Sequence, residues 1–452
     1  MSEKGEKQRQ QMLNAPVAGL LFRMAAPTVV IQLITIIYNT ADTYFVAKID
    51  TSASAAVGVV FALMAIIQAV GYSIGMGTNS LISRRLGAAR EDEANRYASS
   101  AILYGAAAGT VILILGFIFM DGFMRLLGAS ETVLPYAKDY AFYILIGAPF
   151  MCVAFILNNI LRSEGQAFFA MIAMIVGGVL NMILDPIFIF LFGMGIGGAA
   201  LATMISQIVN MLVTLIFFIS GRSIVRLNIK YISRKPGDYL AISKNGIPTL
   251  FRQGLSSLAT ALLNNQAMAY GDAAVAAMTI ANKVYLFVRG VMLGIGQGYQ
   301  PIAGFCFGAG NRTRVKKFFR AACVAGTVIG LIFAAVVFIF RVQIMTFFRA
   351  DPEVIEIGSD ALAFMCICMP LFAYSTFVNQ TYQCLGFPLG ATILASCRQG
   401  IFFIPLNFLL PLCLKLTGIE MVQAGADLCT FLLCIPFQIY FFRKHLKEDI
   451  AR

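Results

Sequence analysis

Twelve stretches of roughly twenty or more mostly apolar residues follow one another along this chain, and that succession limits its fold more than any other feature. A bilayer core about 30 Å thick takes about 20 apolar residues of helix to cross. Runs of that kind lie near 24–47, 54–82, 97–120, 134–161, 167–192 and 197–220, and again near 240–270, 273–305, 318–348, 355–385, 390–416 and 422–442. Several exceed the minimal length, which permits tilt. Charge is scarce to match: 12% of the 452 residues are charged and 59% are hydrophobic, where soluble domains carry about a quarter charged residues. The first 16 residues are polar, with no cleavable signal peptide in view, so the first apolar run is expected to be a membrane helix.

The net charge of +12 raises nucleic acid as a partner. The bases, however, fall in short patches between apolar runs, without a basic-aromatic groove pattern, and nucleic acid is excluded. One set of run ends carries Lys4, Lys7 and Arg23, then Arg84, Arg85, Arg90 and Arg96, Arg162, Arg222, Arg226, Lys230, Arg234 and Lys235, Arg312, Arg314, Lys316, Lys317 and Arg320, and finally Arg443, Lys444 and Lys447. The opposite ends hold Lys48, Asp50, Asp121, Arg125, Glu131, Asp272, Asp351, Glu353 and Glu420, with little basic excess. The positive-inside rule then puts both termini in the cytoplasm. The ten cysteines, Cys152, Cys306, Cys366 and Cys434 among them, sit in or beside apolar runs without a Cys-x-x-Cys pair, and read as small hydrophobes.

An internal repeat divides the chain. Pro27 and Pro248 are 221 residues apart, and the same offset joins Ala55-Ala56 to Ala276-Ala277, Gly75 to Gly296, Gly77 to Gly298, Gly87-Ala88 to Gly308-Ala309, Val133 to Val354, Pro149 to Pro370 and Gly165 to Gly386. The expected domains are a six-helix lobe over 1–220, a cytoplasmic linker over 221–237 and a second six-helix lobe over 238–452. Both halves start on the same side. They are parallel repeats about an axis along the membrane normal, a design that places the substrate between the halves. The fold class is an all-α membrane protein with twelve transmembrane helices in two pseudo-symmetric six-helix lobes.

Carboxylates inside spans are expensive and are functional candidates by default. The first half has Asp42, in Tyr38-Asn-Thr-Ala-Asp42-Thr-Tyr, and Asp185, in Asn181-Met-Ile-Leu-Asp185-Pro186. Each lies 19 residues beyond the start of its span, Arg23 and Gln166 respectively, a rise of roughly 28 Å. Asn181 and Tyr38 lie four residues earlier on the same faces, and Thr203 falls about one turn below the top of the next span. These groups can meet at one level. Two poorly solvated carboxylates raise each other's pKa and can share a proton, or the oxygen set can hold Na⁺. Pro186 frees the Met182 carbonyl and lets span five bend. The alternative places both carboxylates in the hydrated outer interface.

The second half has no acidic pair, since the offset leads from Asp42 to Leu263 and from Asp185 to Leu406. Its polar candidates for a substrate cavity are Arg252, Gln253, Asn265, Lys283, Asn379, Gln380 and Gln383, with Arg289 and Arg398 as further bases. Arg252 and Arg398 are also placed to snorkel to the cytoplasmic interface. Gly75-x-Gly77 and Gly294-x-Gly296-x-Gly298 read as close helix packing rather than nucleotide loops. No catalytic constellation is present, so the chain is not expected to be an enzyme or to need a cofactor.

These residues resemble the MATE (multidrug and toxic compound extrusion) family, in texture its MepA-like bacterial branch. The likeness rests on Tyr38 to Thr43, Arg162-Ser-Glu-Gly165, Asn181 to Pro186, Gly197-Gly-Ala-Ala-Leu-Ala-Thr203 and Gly298-Tyr-Gln-Pro-Ile-Ala-Gly304. It implies a V-shaped pair of lobes in a bacterial inner membrane, working as a monomer. It implies export of drug-like, organic cations in exchange for H⁺ or Na⁺. The implied cation site uses Asp42, Asn181, Asp185 and Thr203. Tyr38 and Asn158 lie nearby in the substrate cavity, although Asn158 counts toward the cytoplasmic end, and Pro27 and Pro186 bend their helices. A lipid-linked oligosaccharide flippase of the same superfamily is the alternative. An anionic pyrophosphate would account for Arg252, Lys283, Arg289 and Arg398, given a wide cavity lined by three of them.

Overall fold

A computed structural model describes residues 2–46 and 51–447, with the side chains of 41–44, 46 and 51–54 outside the description. The Asp42 side chain, Lys48 and Asp50 therefore lie outside the described residues. Among those described, the regular elements are helices only. They run α1 Glu3–Asn14, α2 Val17–Val46, α3 Thr51–Gly87, α4 Glu91–Ile118, α5 Met120–Leu126, α6 Leu134–Ser163, α7 Ala167–Pro186 and α8 Gly195–Ile219. After an extended loop come α9 Pro236–Met268, α10 Asp272–Gly308, α11 Arg312–Phe348, α12 Pro352–Cys384, α13 Pro388–Ser396 and α14 Phe403–His445.

Ten helical runs among the described residues are long and apolar enough to cross a membrane. One of these, Pro388–His445, holds two spans, because Lys415 breaks it with a left-handed backbone (φ 53°, ψ −128°). The remaining span is α9, 33 residues long, whose apolar pattern is interrupted by Lys244, Asn245, Arg252 and Gln253. The twelve expected spans are thus present. Large apolar side chains such as Val324, Leu331, Ile332, Ile339 and Leu412 stand exposed along them, as a lipid-facing surface requires.

The helices form two compact units, one of residues 1–14 and 30–250, the other of residues 15–29 and 251–452. Both α2 and α9 pass from one unit to the other. They do so two residues after Pro27 and two residues after Pro248, the repeat-related prolines that remove a helix hydrogen bond.

Packing repeats with the sequence. A Cβ added to Gly109 would lie 2.5 Å from Pro149 Cα, and one added to Gly330 would lie 3.0 Å from Pro370 Cα. Gly75 faces the Asn159 side chain, and its counterpart Gly296 faces Gln380, the counterpart of Asn159. Gly77 abuts Gly246 in the first unit, and Gly298 abuts Ala25 in the second. The glycine series are therefore close helix contacts, in which small residues let backbones approach.

The connecting polar segments are held by hydrogen bonds. In α1 the Lys4 ammonium donates to the Gly221 carbonyl (2.6 Å) and the Arg9 guanidinium to the Gly87 carbonyl (2.9 Å), placing cations at helix ends where carbonyls are unsatisfied. The segment after α8 lies along the polar start of α4. Its Arg226 and Ser233 amides donate to Asn95 Oδ1 and Ser100 Oγ, each at 2.8 Å.

Glu164, in the turn between α6 and α7, is wholly buried. The Ile224 amide donates to its carboxyl (2.8 Å), and Ser223 Oγ lies 2.7 and 2.9 Å from the two carboxyl oxygens and 2.8 Å from the Val225 carbonyl. The one hydroxyl proton of Ser223 can serve only one of these acceptors. A neutral Glu164 resolves the shortage by donating to Ser223 Oγ, leaving that hydroxyl free for Val225. Burial pushes the Glu164 carboxyl up to about 7, against the hydrogen bonds from Ser223 and Ile224, with Glu91 adding slightly to the rise. Between the ordinary carboxylate value and about 7, the folded protein keeps a proton that the unfolded chain releases. Stability therefore falls as pH rises through that window, by on the order of 3 kcal/mol in all. Melting curves of the purified protein from pH 5 to 7.5 should show this loss, and Glu164→Gln should flatten it.

Candidate functional site

Span five of the first unit presents Asn181 and Asp185 on one face, a single turn apart. Asp185 is fully buried and Asn181 nearly so, which removes Asp185 from the hydrated interface. The Asn181 amide nitrogen donates to Asp185 Oδ1 (3.1 Å) and lies 3.3 Å from Thr203 Oγ on α8. Beyond Pro186 the backbone widens into a π-turn, Ile187–Leu191, closed by the Phe192 amide on the Ile187 carbonyl (2.9 Å). A Cβ at Gly198 would lie 2.8 Å from the Phe188 carbonyl, so the glycine lets α8 rest on this turn and brings Thr203 level with Asn181. Such turns recur at functional sites because they re-aim neighbouring side chains. One turn below Asn181, a Cβ at Gly178 would lie 3.7 Å from the Tyr38 ring. Tyr38 is buried beside this face of span five. Asn181, Asp185 and Thr203 are thus assembled with Tyr38 close by. Asp42 falls outside the described side chains.

A column of buried polar residues continues down α8 from Thr203 through Ser206, Gln207, Asn210 and Thr214. Asn158 donates to Asn210 Oδ1 (3.3 Å) and to the Ala154 carbonyl (2.9 Å). Asn210 is seven residues beyond Thr203, roughly 10 Å along the helix, so Asn158 belongs to the lower end of this column. Ser206 Oγ, Gln207 Oε1 and Asn158 Oδ1 are buried without a protein partner, and buried polar atoms of that kind are served by water or an ion. Of this column the sequence alone singles out only Thr203 and Asn158. The signal was a polar stripe at spacings of three and four within an apolar span.

The second unit holds different chemistry. Arg398 is not at the interface but buried, its Nε paired with Asp427 Oδ1, while the Tyr285 hydroxyl donates to Asp427 Oδ2. Asp427, a carboxylate within span twelve, is the member of this group that the sequence analysis does not single out. Arg252 also does not snorkel: it is the middle residue of α9 and lines a cavity with Asn379, Arg289 and Arg398. Gln380 packs on Gly296, and Gln383 accepts from Gln300 at 3.5 Å, both within the contact of α10 and α12. Gln253 is half-buried away from the cavity, and Asn265 and Lys283 are exposed. No group of three or more metal-ligating His, Cys, Asp or Glu side chains occurs among the described residues.

Apolar spans in two repeats, with buried ionisable and amide groups inside them, define a multi-pass membrane transporter. The chain belongs to the MatE family, whose model matches residues 27–187 and again residues 248–409, once per repeat. It is similar to the multidrug export protein MepA of Staphylococcus aureus (strain MRSA252), 28% identical over 441 residues and 97% of either chain. Its similarity to MepA of Staphylococcus haemolyticus (strain JCSC1435) is 28% over 434 residues, 95% of each. Among solved structures it resembles an outward-facing multidrug resistance MATE family transporter of the MOP superfamily, with TM-score 0.91, 25% identity, and 96% and 98% of the two chains covered. It also resembles a MOP superfamily transporter from Pyrococcus furiosus, described as having a binding pocket of reverse polarity that suggests a different function. There the TM-score is 0.90, with 25% identity and the same coverage.

The contact of Asn181 with Asp185 should be visible as energetic coupling. In a double-mutant cycle of Asn181→Ala and Asp185→Ala, read by melting in detergent, each single change removes the same hydrogen bond. The double variant should therefore deviate from additivity by about 0.5–3 kcal/mol. Additive effects would show that the two side chains act independently.

Proposed function

We propose that this protein is a cation-coupled antiporter that exports drug-like, predominantly cationic amphiphiles by alternating access, with H⁺ or Na⁺ as the coupling ion. The observation that carries the reading is the buried Asn181–Asp185–Thr203 set in the first unit, supported by the likeness to MepA. Asp185 supplies a negative charge, and Asn181 Oδ1 and Thr203 Oγ supply neutral oxygens of the kind Na⁺ accepts. Asp42 is proposed as the second carboxylate. An empty site attracts an organic cation. A site loaded with H⁺ or Na⁺ has lost that charge and releases it. Because drug and ion favour opposite charge states, each shifts the equilibrium the other opposes, which an occupant of equal affinity for both states cannot do.

In this reading lobes 1–220 and 238–452, joined by the segment 221–237, share the transport cycle, and the monomer is the working form. Both termini face the cytoplasm of a bacterial inner membrane, as the basic ends at Arg226, Lys235 and Arg312 favour. External labelling of a cysteine placed at position 226, in a cysteine-free background, would overturn that orientation.

The flippase reading gains one point from the structure, since Arg252, Arg289 and Arg398 line one cavity. The free room there is about 40 Å³, well below the few hundred Å³ of an ordinary ligand pocket, and Arg398 is already paired. That space does not enclose a whole pyrophosphate headgroup.

Dye efflux from inverted vesicles, with Na⁺ and H⁺ gradients imposed separately, tests the proposal. Asp42→Asn and Asp185→Asn should each reduce gradient-driven efflux at least tenfold while the protein still inserts, because a neutral amide is easier to place in a membrane span than a carboxylate. Wild-type rates with an unchanged ion response in both variants would refute first-lobe coupling.

A further inference from the structure

The second unit carries three guanidiniums around one small cavity, with one carboxylate to balance them. Arg252 is the middle residue of α9, and Arg289 lies one residue from the middle of α10. Both therefore sit near half depth in their spans, where an ionised side chain is expensive and marks a functional site by default. Arg398 joins them from the π-turn Cys397–Ile401 that follows α13. Arginine mid-span is ordinarily retained by a buried ion pair. That explanation covers Arg398, whose Nε meets Asp427, but not the other two. Among the described residues neither Arg252 nor Arg289 is paired with a carboxylate.

What surrounds them is built to hold guanidiniums in place. The Phe372 ring lies beneath both Arg398 (Cζ 4.4 Å from its centroid) and Arg289 (6.0 Å), a cation–π arrangement that orients the planar groups. Asp427 is fully committed, one oxygen to Arg398 and the other to Tyr285. Two donor nitrogens are left over: Arg398 Nη2 and Arg289 Nε are buried without a protein acceptor. Asn379 and Thr376 add polar surface to the cavity wall. Fixed donors, excess positive charge and room of about 40 Å³ match the end of one oxyanion and little more. Arginine's planar fork is the usual partner of carboxylate and phosphate oxygens.

We infer that this cavity is an anion seat, which receives a single carboxylate or phosphate group of an amphiphile whose remainder lies outside the cavity. The second unit then adds acid-bearing compounds to the substrates, independently of the carboxylate site in the first unit. Two sources share this chemistry: the carboxylate of a transported zwitterion and the phosphate of an anionic lipid.

Equilibrium binding without any gradient tests the seat separately from ion coupling. Fluorescence polarisation on the full-length protein in dodecylmaltoside would compare rhodamine 110, which carries a free carboxylate, with rhodamine 123, its methyl ester. Each charge-assisted hydrogen bond to the acid contributes about tenfold in affinity. Arg252→Gln or Arg289→Gln should therefore lower the ratio of acid to ester affinity about tenfold. Arg252→Lys and Arg289→Lys keep the charge but lose the planar fork, so each should lower that ratio about threefold with the ester affinity unchanged; they serve as the test if a glutamine variant does not fold, and a ratio equal to wild type in both would then overturn the seat. A ratio unchanged within twofold in the Gln variants, or equal losses for both dyes, would overturn the anion seat. A nanodisc arm separates the sources. If phosphatidylglycerol, but not phosphatidylcholine, competes with rhodamine 110 in wild type and not in Arg252→Gln, the lipid phosphate occupies the seat. If it does not compete while the ratio still falls, the occupant is the substrate's carboxylate.

Discussion

Hydrocarbon cannot hydrogen-bond, and the rest of this structure follows from that constraint. Each spanning backbone must satisfy its own N–H and C=O groups, which leaves helices. With lipid outside as apolar as the side chains inside, burial of hydrophobes does little to hold helices together, and close backbone contact becomes decisive. Gly109 on Pro149 and Gly330 on Pro370 are such contacts. Their recurrence at the repeat offset shows that what the two halves share is chiefly the geometry of approach. A side chain larger than hydrogen at either glycine meets backbone that cannot move without displacing a whole helix.

The same constraint forces polar side chains to find one another. In the first unit an amide, a carboxylate and a hydroxyl gather where a proline and a π-turn end span five. In the second, a carboxylate, a phenol and a guanidinium gather beside a π-turn in span eleven, with two further guanidiniums nearby. One scaffold thus holds oxygen-rich chemistry in one half and nitrogen-rich chemistry in the other. Ligand preference in such a protein is set by which few side chains replace leucine at mid-span, while the packing glycines stay as they are.

Polar groups outside the spans have a different task. Lys4 and Arg9 cap helix ends, and the amides of the segment after α8 pair with the start of α4. Glu164 is the exception, a buried acid whose neighbours are best satisfied when it is neutral. It makes this otherwise static contact sensitive to pH.

Spans, repeat and most of the first-unit site were legible in the sequence, because each is written in local spacing. Apolar run length reports on bilayer thickness. A constant offset of 221 residues reports on duplication, and Asn181 four residues before Asp185 must share a helix face. The glycine series, too, announced close packing. Other features were decided only in three dimensions. Nothing local says that α2 and α9 each divide between the two compact units, since Pro27 and Pro248 mark a lost helix hydrogen bond but not which neighbours the helix meets on either side of it. Arg398 read as a snorkelling residue because its partner Asp427 is 29 residues away, and an ion pair across helices leaves no periodic trace. The polar stripe on α8 was visible, yet its meaning depended on Asn158 arriving from α6. Sequence determines what each helix can bury; only the tertiary fold decides which buried polar atoms meet a partner and which, like Arg289 Nε, are left facing a cavity.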